Sequence, residues 1–454
     1  FINTTNSPLN NVVQLDSGMY HTCARLIDNT VRCWGYNGYG QIGDGSVTNA
    51  RIATLATYVV TGTTTVANVA ARHIGAGHQH TCAVLTDGST RCWGRNDFGQ
   101  LGDASTTQRS RGVEVYNLTG GQVCNGATGT PVAETCDTLD NNCNGVVDDR
   151  EPSECNSCTT SGGSCTAGIG ACARTGSLTC GDGGAIAVMS GQVNSCAVMH
   201  DGRVRCWGYN GNSNLGDGST TQRIVPVSTH ATTLSNVAQL EAGYEYQCAL
   251  TGGQVRCWGY NNYGQLGDNT ATSNAALRTV IDTSNTALSG VVRITTGYGF
   301  ACALRTDGRV WCWGYNGNGE LGDGTVSTRY RAAVVPNLFD VVHISAGHNH
   351  ACAVRDNGTV WCWGYNAYGQ LGDGTATAST IPVMVPGFSG AVEVSCGALH
   401  TCARLSSGQV RCWGYNGYGQ LGDNTVTTNY SPVEVDVNTT NSVLTSAVQL
   451  TSGI

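Results

Sequence analysis

Short runs in which apolar and polar residues alternate recur along the chain, each bounded by Gly, Asn, Asp or Thr. Cys82 to Cys92 (CAVLTDGSTRC) is typical: an alternating run, a turn, and a second alternating run. Alternation of period two puts successive side chains on opposite faces of a strand, and run–turn–run reads as a tight β-hairpin. One full unit predicts four short strands, at Val341–Ile344, His350–Arg355, Val360–Gly364 and Pro382–Val385. The unit recurs seven times at a spacing near 50 residues, the signature of a repeat architecture. Strands this short and this evenly spaced suggest radial repetition, which protects sheet edges. The predicted fold is therefore all-β: a seven-bladed β-propeller of four-stranded blades.

The turns fix the register. Each hairpin carries two cysteines, and the second always opens the tripeptide Cys-Trp-Gly: Cys23/Cys33, Cys82/Cys92, Cys196/Cys206, Cys248/Cys257, Cys302/Cys312, Cys352/Cys362 and Cys402/Cys412. In six copies the third turn residue is Asn29, Gly88, Gly202, Gly308, Gly358 or Gly408, types that tolerate the left-handed conformation of a bulged three-residue turn. The fourth copy has lost one residue and reads Thr251-Gly252-Gly253-Gln254, a two-residue turn that keeps Cys248 opposite Cys257. Seven cross-strand disulfides are the expected pairing. Reduced core cysteines or zinc ligands are the competing readings, and zinc usually spaces its ligands two to four residues apart. Disulfides require an oxidising compartment, so an extracellular or cell-surface location is expected.

Composition narrows the picture further. The chain has 454 residues, 63 of them glycine, and only 12% are charged. No apolar run is long enough for a transmembrane segment. Phe1 in place of Met reads as a processed or excised product. All 23 basic residues are arginine, and the net charge of -8 is spread without a basic run, so nucleic acid is not an expected partner. There is no nucleophile motif, no phosphate loop and no carboxylate pair set apart from repeat residues, so no catalytic residue is assigned.

The pattern A-G-x-x-H-T-C-A-L-x-x-D-G-x-V-x-C-W-G-x-N-x-x-G-Q-L-G-D-G resembles the repeat of the regulator of chromosome condensation family, in a cysteine-bearing bacterial form, over most of the chain. The resemblance implies a seven-bladed propeller used as a binding platform, with a protein partner or self-association. Members include a Ran nucleotide-exchange factor, a β-lactamase inhibitor and a plant ultraviolet photoreceptor. The photoreceptor's tryptophan cluster is replaced here by Met19, His78, Gln192, Tyr244, Tyr298, His348 and Ala398, which disfavours light sensing. Exchange on a nuclear GTPase does not fit a disulfide-laden chain, while inhibition of a secreted enzyme stands as an alternative. Residues that differ from blade to blade are free to carry specificity, so Met19, His78, Gln192, Tyr244, Tyr298 and His348 form the candidate binding face. The histidine pairs His78/His80 and His348/His350 invite a metal reading, but His80 and His350 share a repeat position with His21 and His400 and are expected to make structural hydrogen bonds.

Residues 1–117 are read as blades 1 and 2, and 185–454 as blades 3 to 7 plus a surplus terminal strand. Residues 118–184 are read as a cysteine-rich insert with Cys124, Cys136, Cys143, Cys155, Cys158, Cys165, Cys172 and Cys180. Within it, Asp140 to Glu151 (DNNCNGVVDDRE) fits a calcium-loop template. Asp140, Asn142, Asn144, Asp148 and Glu151 would supply side-chain oxygens and Val146 its carbonyl, making one calcium site. The segment resembles the metal-binding motif of bacterial surface proteins, with Asn142 and Asn144 where that motif has Asp. Cys396 is the remaining cysteine, expected as a buried free thiol or an intermolecular bridge.

Residues 2–18 (INTTNSPLNNVVQLDSG) recur at 437–453 as VNTTNSVLTSAVQLTSG. Both copies cannot occupy one place in a closed ring. The alternatives are a piece of a longer array, a terminal extension without consequence, or a subunit of an extracellular fibre assembled by terminal strand exchange.

Overall fold

The computed structural model describes residues 11–60, 64–116, 118, 163–165, 172–174, 184–230, 234–435, 444, 447 and 449–450. Seven blade sheets follow one another along the chain, each with a core of four antiparallel strands. Blade 1 runs from its inner strand Val12–Ser17 through His21–Leu26 and Val31–Gly35 to its outer strand Ala50–Leu55. Inner strands of blades 2 to 7 are Ala71–Ala76, Ala185–Ser190, Val237–Ala242, Val291–Thr296, Val341–Ala346 and Ala391–Cys396. Each sheet keeps chain order from inner to outer strand, and blade 2 gains an extra hairpin, Thr57–Val59 with Val66–Asn68, at its outer edge.

The turns follow the glycine and asparagine pattern. The third turn residues have positive φ, from 66° at Asn29 to 85° at Gly88, while Gly252 and Gly253 are both left-handed at 56° and 72°, as the shorter turn demands. The register puts Cys196 opposite Cys206, Cys248 opposite Cys257 and Cys352 opposite Cys362. All seven hairpin pairs are disulfide-bonded: Cys23–Cys33, Cys82–Cys92, Cys196–Cys206, Cys248–Cys257, Cys302–Cys312, Cys352–Cys362 and Cys402–Cys412, with Cα atoms 4.0–4.1 Å apart. None of the fourteen sulfurs is therefore left as a reduced thiol or a zinc ligand, the two competing readings. Cys396 is a free buried thiol, and burial pushes its pKa up to about 12.

The outer strand of blade 6 is Ser379–Met384, three residues earlier than its alternation suggests. Pro382 hides the start: it cannot donate to a ladder, and an outermost strand is where proline is tolerated.

The larger hydrophobic cores lie between neighbouring blades. In the third interval, Cys196, Cys206 and Leu215 of blade 3 pack against Leu234, Leu240 and Trp258 of blade 4. In the fifth, Cys302, Leu304, Cys312 and Leu321 of blade 5 pack against Leu338, Val341, Ile344 and Trp363 of blade 6. Leu118 does the same for Ala185 and Val188 of blade 3, so the propeller reaches that residue. The Cys-Trp-Gly tryptophan of each of blades 2 to 7 donates its indole N–H to a loop carbonyl of the preceding blade, as in Trp363 to Glu320 O at 2.8 Å and Trp413 to Gln370 O at 2.9 Å. Buried indoles need such a partner.

The loop after each Cys-Trp-Gly is held by one fully buried asparagine. In blade 6, Asn366 Nδ2 donates to Thr375 O at 3.1 Å, Thr377 O at 3.0 Å and Asp373 Oδ1 at 3.2 Å, and its Oδ1 accepts from Leu371 N at 2.9 Å. Asn366→Asp keeps the shape but removes both donors and sets a carboxylate among acceptors. It should destabilise the protein by about 3–5 kcal/mol, read as a lower midpoint in urea denaturation.

Candidate functional site

Every inner strand is followed by a glycine, and at Gly18, Gly77, Gly297 and Gly347 that glycine lies at a close approach to the backbone of the next blade. A Cβ on Gly18 would come within 2.0 Å of Gly77 O, one on Gly77 within 2.5 Å of Gly191 O, and one on Gly347 within 2.1 Å of Gly397 O. Only glycine permits this approach. In six of the seven blades the residue that follows this glycine reaches the mouth of the central pore. Met19, His78, Gln192, Tyr244, Tyr298 and His348 all line one cavity there. Its free volume is about 60 Å³, room for a few waters rather than an organic ligand.

The side chains at the mouth are linked to one another. Gln192 Nε2 lies 3.3 Å from His78 Nε2. Tyr244 and Tyr298 stack with ring centroids 4.3 Å apart, and His348 meets Tyr298 edge-on at 5.5 Å. Burial holds His78 down to about 4, helped by His348 and Arg95, and burial lowers His348 as well. Burial next to Tyr244 pushes Tyr298 up to about 12. The mouth is therefore uncharged at neutral pH, with aromatic faces and neutral imidazoles.

A second set of rings is supplied mainly by the loops after Cys-Trp-Gly, with Tyr20 joining from the turn after the first inner strand. Tyr20 meets Tyr36, Phe98 meets Tyr209, Tyr263 meets Tyr315 and Tyr368 meets Tyr415, with centroids 5.2–6.0 Å apart. Three of these contacts cross from one blade to the next. Because these tyrosines recur, sequence reasoning places them in the scaffold; the available signal is that an aromatic stands at one loop position in most copies.

The bridged cysteines, from Cys23 and Cys33 through Cys196 and Cys206 to Cys402 and Cys412, are buried within the blades and contribute nothing to the mouth's lining. His80 and His350 lie away from the mouth as well. His21 Nε2 meets Thr81 Oγ1 at 2.7 Å, His80 meets Ser195 Oγ at 2.8 Å and His350 meets Thr401 Oγ1 at 2.8 Å. Those hydroxyls donate onward to Gln41 O, Gln100 O and Gln370 O. Each ring is thus the Nε2–H donor, bridging two blades. Among the described residues the single grouping of metal-ligating side chains is His350, Cys352 and Cys396, and Cys352 is spent in its disulfide. The expected calcium ligands Asp140, Asn142, Asn144, Val146, Asp148 and Glu151 lie outside the described residues. So do Cys124, Cys136, Cys143, Cys155, Cys158 and Cys180, while Cys165 and Cys172 are register partners along the backbone of a short antiparallel pair, Gly163–Cys165 with Cys172–Arg174.

Comparison with known proteins agrees with this architecture. The model of the RCC1-like domain matches residues 160–453, and that of the regulator of chromosome condensation (RCC1) repeat matches 12–41 and 71–100. The chain belongs to the RCC1-like family. Ultraviolet-B receptor UVR8 of Arabidopsis thaliana is 28% identical over 330 residues, covering 70% of this chain and 68% of that protein. E3 ubiquitin-protein ligase HERC2 of Homo sapiens is 32% identical over 342 residues, covering 72% of this chain but 6% of its own length. Among solved structures, human WBSCR16 aligns with a TM-score of 0.65 at 16% identity, covering 94% of this chain and 96% of that one. Prp20p from Saccharomyces cerevisiae aligns at 0.63 and 18% identity, covering 96% and 91%. These two share the RCC1-like fold. No helix among the described residues is long and apolar enough to cross a membrane, which says nothing of β-barrels.

Proposed function

We propose that this RCC1-like chain is a secreted or cell-surface recognition platform that binds a partner protein through the mouth of its pore. One observation carries the reading: the positions that vary between blades converge on one uncharged surface, ringed by tyrosines. Rigid tyrosines with Asn, Gln and Gly between them give contact area at low entropic cost, and buried aromatic anchors dominate binding energy. Yeast Prp20p, of the same fold, is described with binding properties to Gsp1p and histones; this chain's partner is proposed to be a protein as well. Recognition rather than catalysis suits a mouth without a nucleophile–base pair. The seven bridges support an oxidising location.

The double variant Tyr244→Ala/Tyr298→Ala should weaken binding of the captured partner at least tenfold in a surface-plasmon assay while leaving the melting temperature nearly unchanged. Asp356→Ala, on an exposed hairpin turn, should leave affinity unaltered. Equal loss in both variants, or in neither, would place recognition elsewhere.

The insert is proposed to bind one calcium ion through Asp140, Asn142, Asn144, Val146, Asp148 and Glu151, on the strength of its sequence template. Calorimetric titration with calcium should show one weak site that Glu151→Ala abolishes.

A further inference from the structure

An inner strand does two jobs in this fold. In blade 6, Val341–Ala346 forms a ladder with His350–Arg355, with Ile344 opposite Ala353. It also docks on blade 5, where Val341 N donates to Gly308 O at 3.0 Å and Leu338, Val341 and Ile344 fill the core. Where the ring returns to its beginning, the two jobs are divided between two segments.

Val12–Ser17 makes the ladder, with Leu15 opposite Ala24 of His21–Leu26. Its docking face is left incomplete. Leu15 is half-buried and clusters with Ala24, Leu26, Trp34 and Ala53 of its own blade, whereas its counterparts Ile74, Val188, Leu240, Ile294, Ile344 and Val394 are buried. Leu444, Ala447 and Leu450 make the docking contacts instead, packing on Cys402, Val410, Cys412 and Leu421 of blade 7. Ala447 N donates to Gly408 O at 3.0 Å, the bond that Val341 N makes to Gly308 O. Leu444 N donates to Val435 O at 2.8 Å, as Leu288 N does to Val280 O at 2.9 Å. Among the described residues, Gln449 and Leu450 belong to no strand. Gly422, whose equivalents Gly322 and Gly372 cradle the next blade's Trp363 and Trp413, meets Val435 alone among the described residues.

The two segments are copies in sequence, with Val12 matching Ala447, Gln14 matching Gln449 and Leu15 matching Leu450. We infer that blade 1 has one inner-strand seat for which both compete, and that the segment containing Gln449 and Leu450 takes the ladder on His21–Leu26 in place of Val12–Ser17, closing the ring. The docking contacts on blade 7 are already made, so the exchange trades one ladder for a near-identical one and brings blade 7 against blade 1. The occupant is this chain's own segment: a tethered strand acts at an effective concentration in the millimolar range, above that of a second copy.

Hydrogen exchange of the His21–Leu26 amides in the full-length chain tests the shared seat. Leu15→Asp and Leu450→Asp, each alone, should keep protection there within about threefold, because the other segment takes over. The double variant should lose at least 100-fold. Loss in Leu15→Asp alone equal to that in the double variant overturns the inference, as does protection in Leu15→Asp that rises with protein concentration alongside a dimer in native mass spectrometry. Should the aspartate variants not fold, a photo-crosslinking benzoylphenylalanine replacing Gln449 reads the same seat: an intrachain link to residues 21–26 supports it, and links confined to blade 7 overturn it.

Discussion

Reduced and alkylated protein should melt on the order of 20 °C or more below the oxidised form. Each bridge closes a loop with a sequence separation of 9 or 10 residues, which in the chain-entropy treatment stabilises by about 2–3 kcal/mol. Seven together rival the whole stability of a typical domain, about 5–15 kcal/mol. Every bridged cysteine is also buried, Cys196 and Cys206 completely, so reductant must wait for the blade to open. Native protein should therefore resist millimolar reductant until heated or treated with denaturant, then fail cooperatively. Calorimetry of the two forms makes the comparison; equal melting temperatures would show that the bridges are incidental to the fold.

Acid should unfold the molecule, and the interblade histidines set where. Burial holds His21, His80 and His350 down to about 3 and His400 to about 4. In the first three, Nε2–H is spent on the neighbouring hydroxyl and the buried Nδ1 has no partner, so a second proton would bring an uncompensated charge. Because the unfolded chain titrates near 6.5, it binds more protons than the folded one between about pH 6.5 and 3. Stability is full above pH 6.5 and falls as pH drops through that window, by about 3 kcal/mol per histidine at pH 4. Asp16 opposes this. Burial pushes it up to about 7, so its contribution is full below its unfolded pKa near 3.8 and is lost as pH rises towards 7. Burial raises Glu241, Glu245 and Glu320 as well, but these four carboxylates are outnumbered by the nine imidazoles that burial lowers, and the net result is loss of stability on acidification. His350→Phe places at this position the residue that blade 5 carries as Phe300, and it should flatten the pH dependence of the urea midpoint by roughly one histidine's share. A midpoint unchanged between pH 7 and 4.5 would contradict the assignment.

The hairpins were legible in the sequence because turn length and cysteine register constrain each other: the one copy with a residue fewer between its cysteines, Cys248 and Cys257, is the one with a two-residue Gly252-Gly253 turn. The convergence of Met19, His78, Gln192, Tyr244, Tyr298 and His348 was legible because variation stands out against repetition. The tyrosine ring was not, since Tyr36, Tyr315 and Tyr415 repeat and repetition reads as scaffold. Nor was the division of labour between Leu15 and Leu450, because identical strand sequences say nothing about which one docks and which one pairs. Pro382 marks the same limit on a smaller scale, where an outer edge accepts a residue that alternation would exclude.

Each blade is covalently closed within one repeat, which leaves the pore mouth as the place where the blades differ. Peptide mass mapping of the native protein without reduction tests this most directly. It should recover all seven hairpin pairs as linked peptides, among them Cys23–Cys33, Cys196–Cys206 and Cys402–Cys412, with Cys396 unlinked. A bridge joining two repeats, or hairpin cysteines recovered as free thiols, would contradict it.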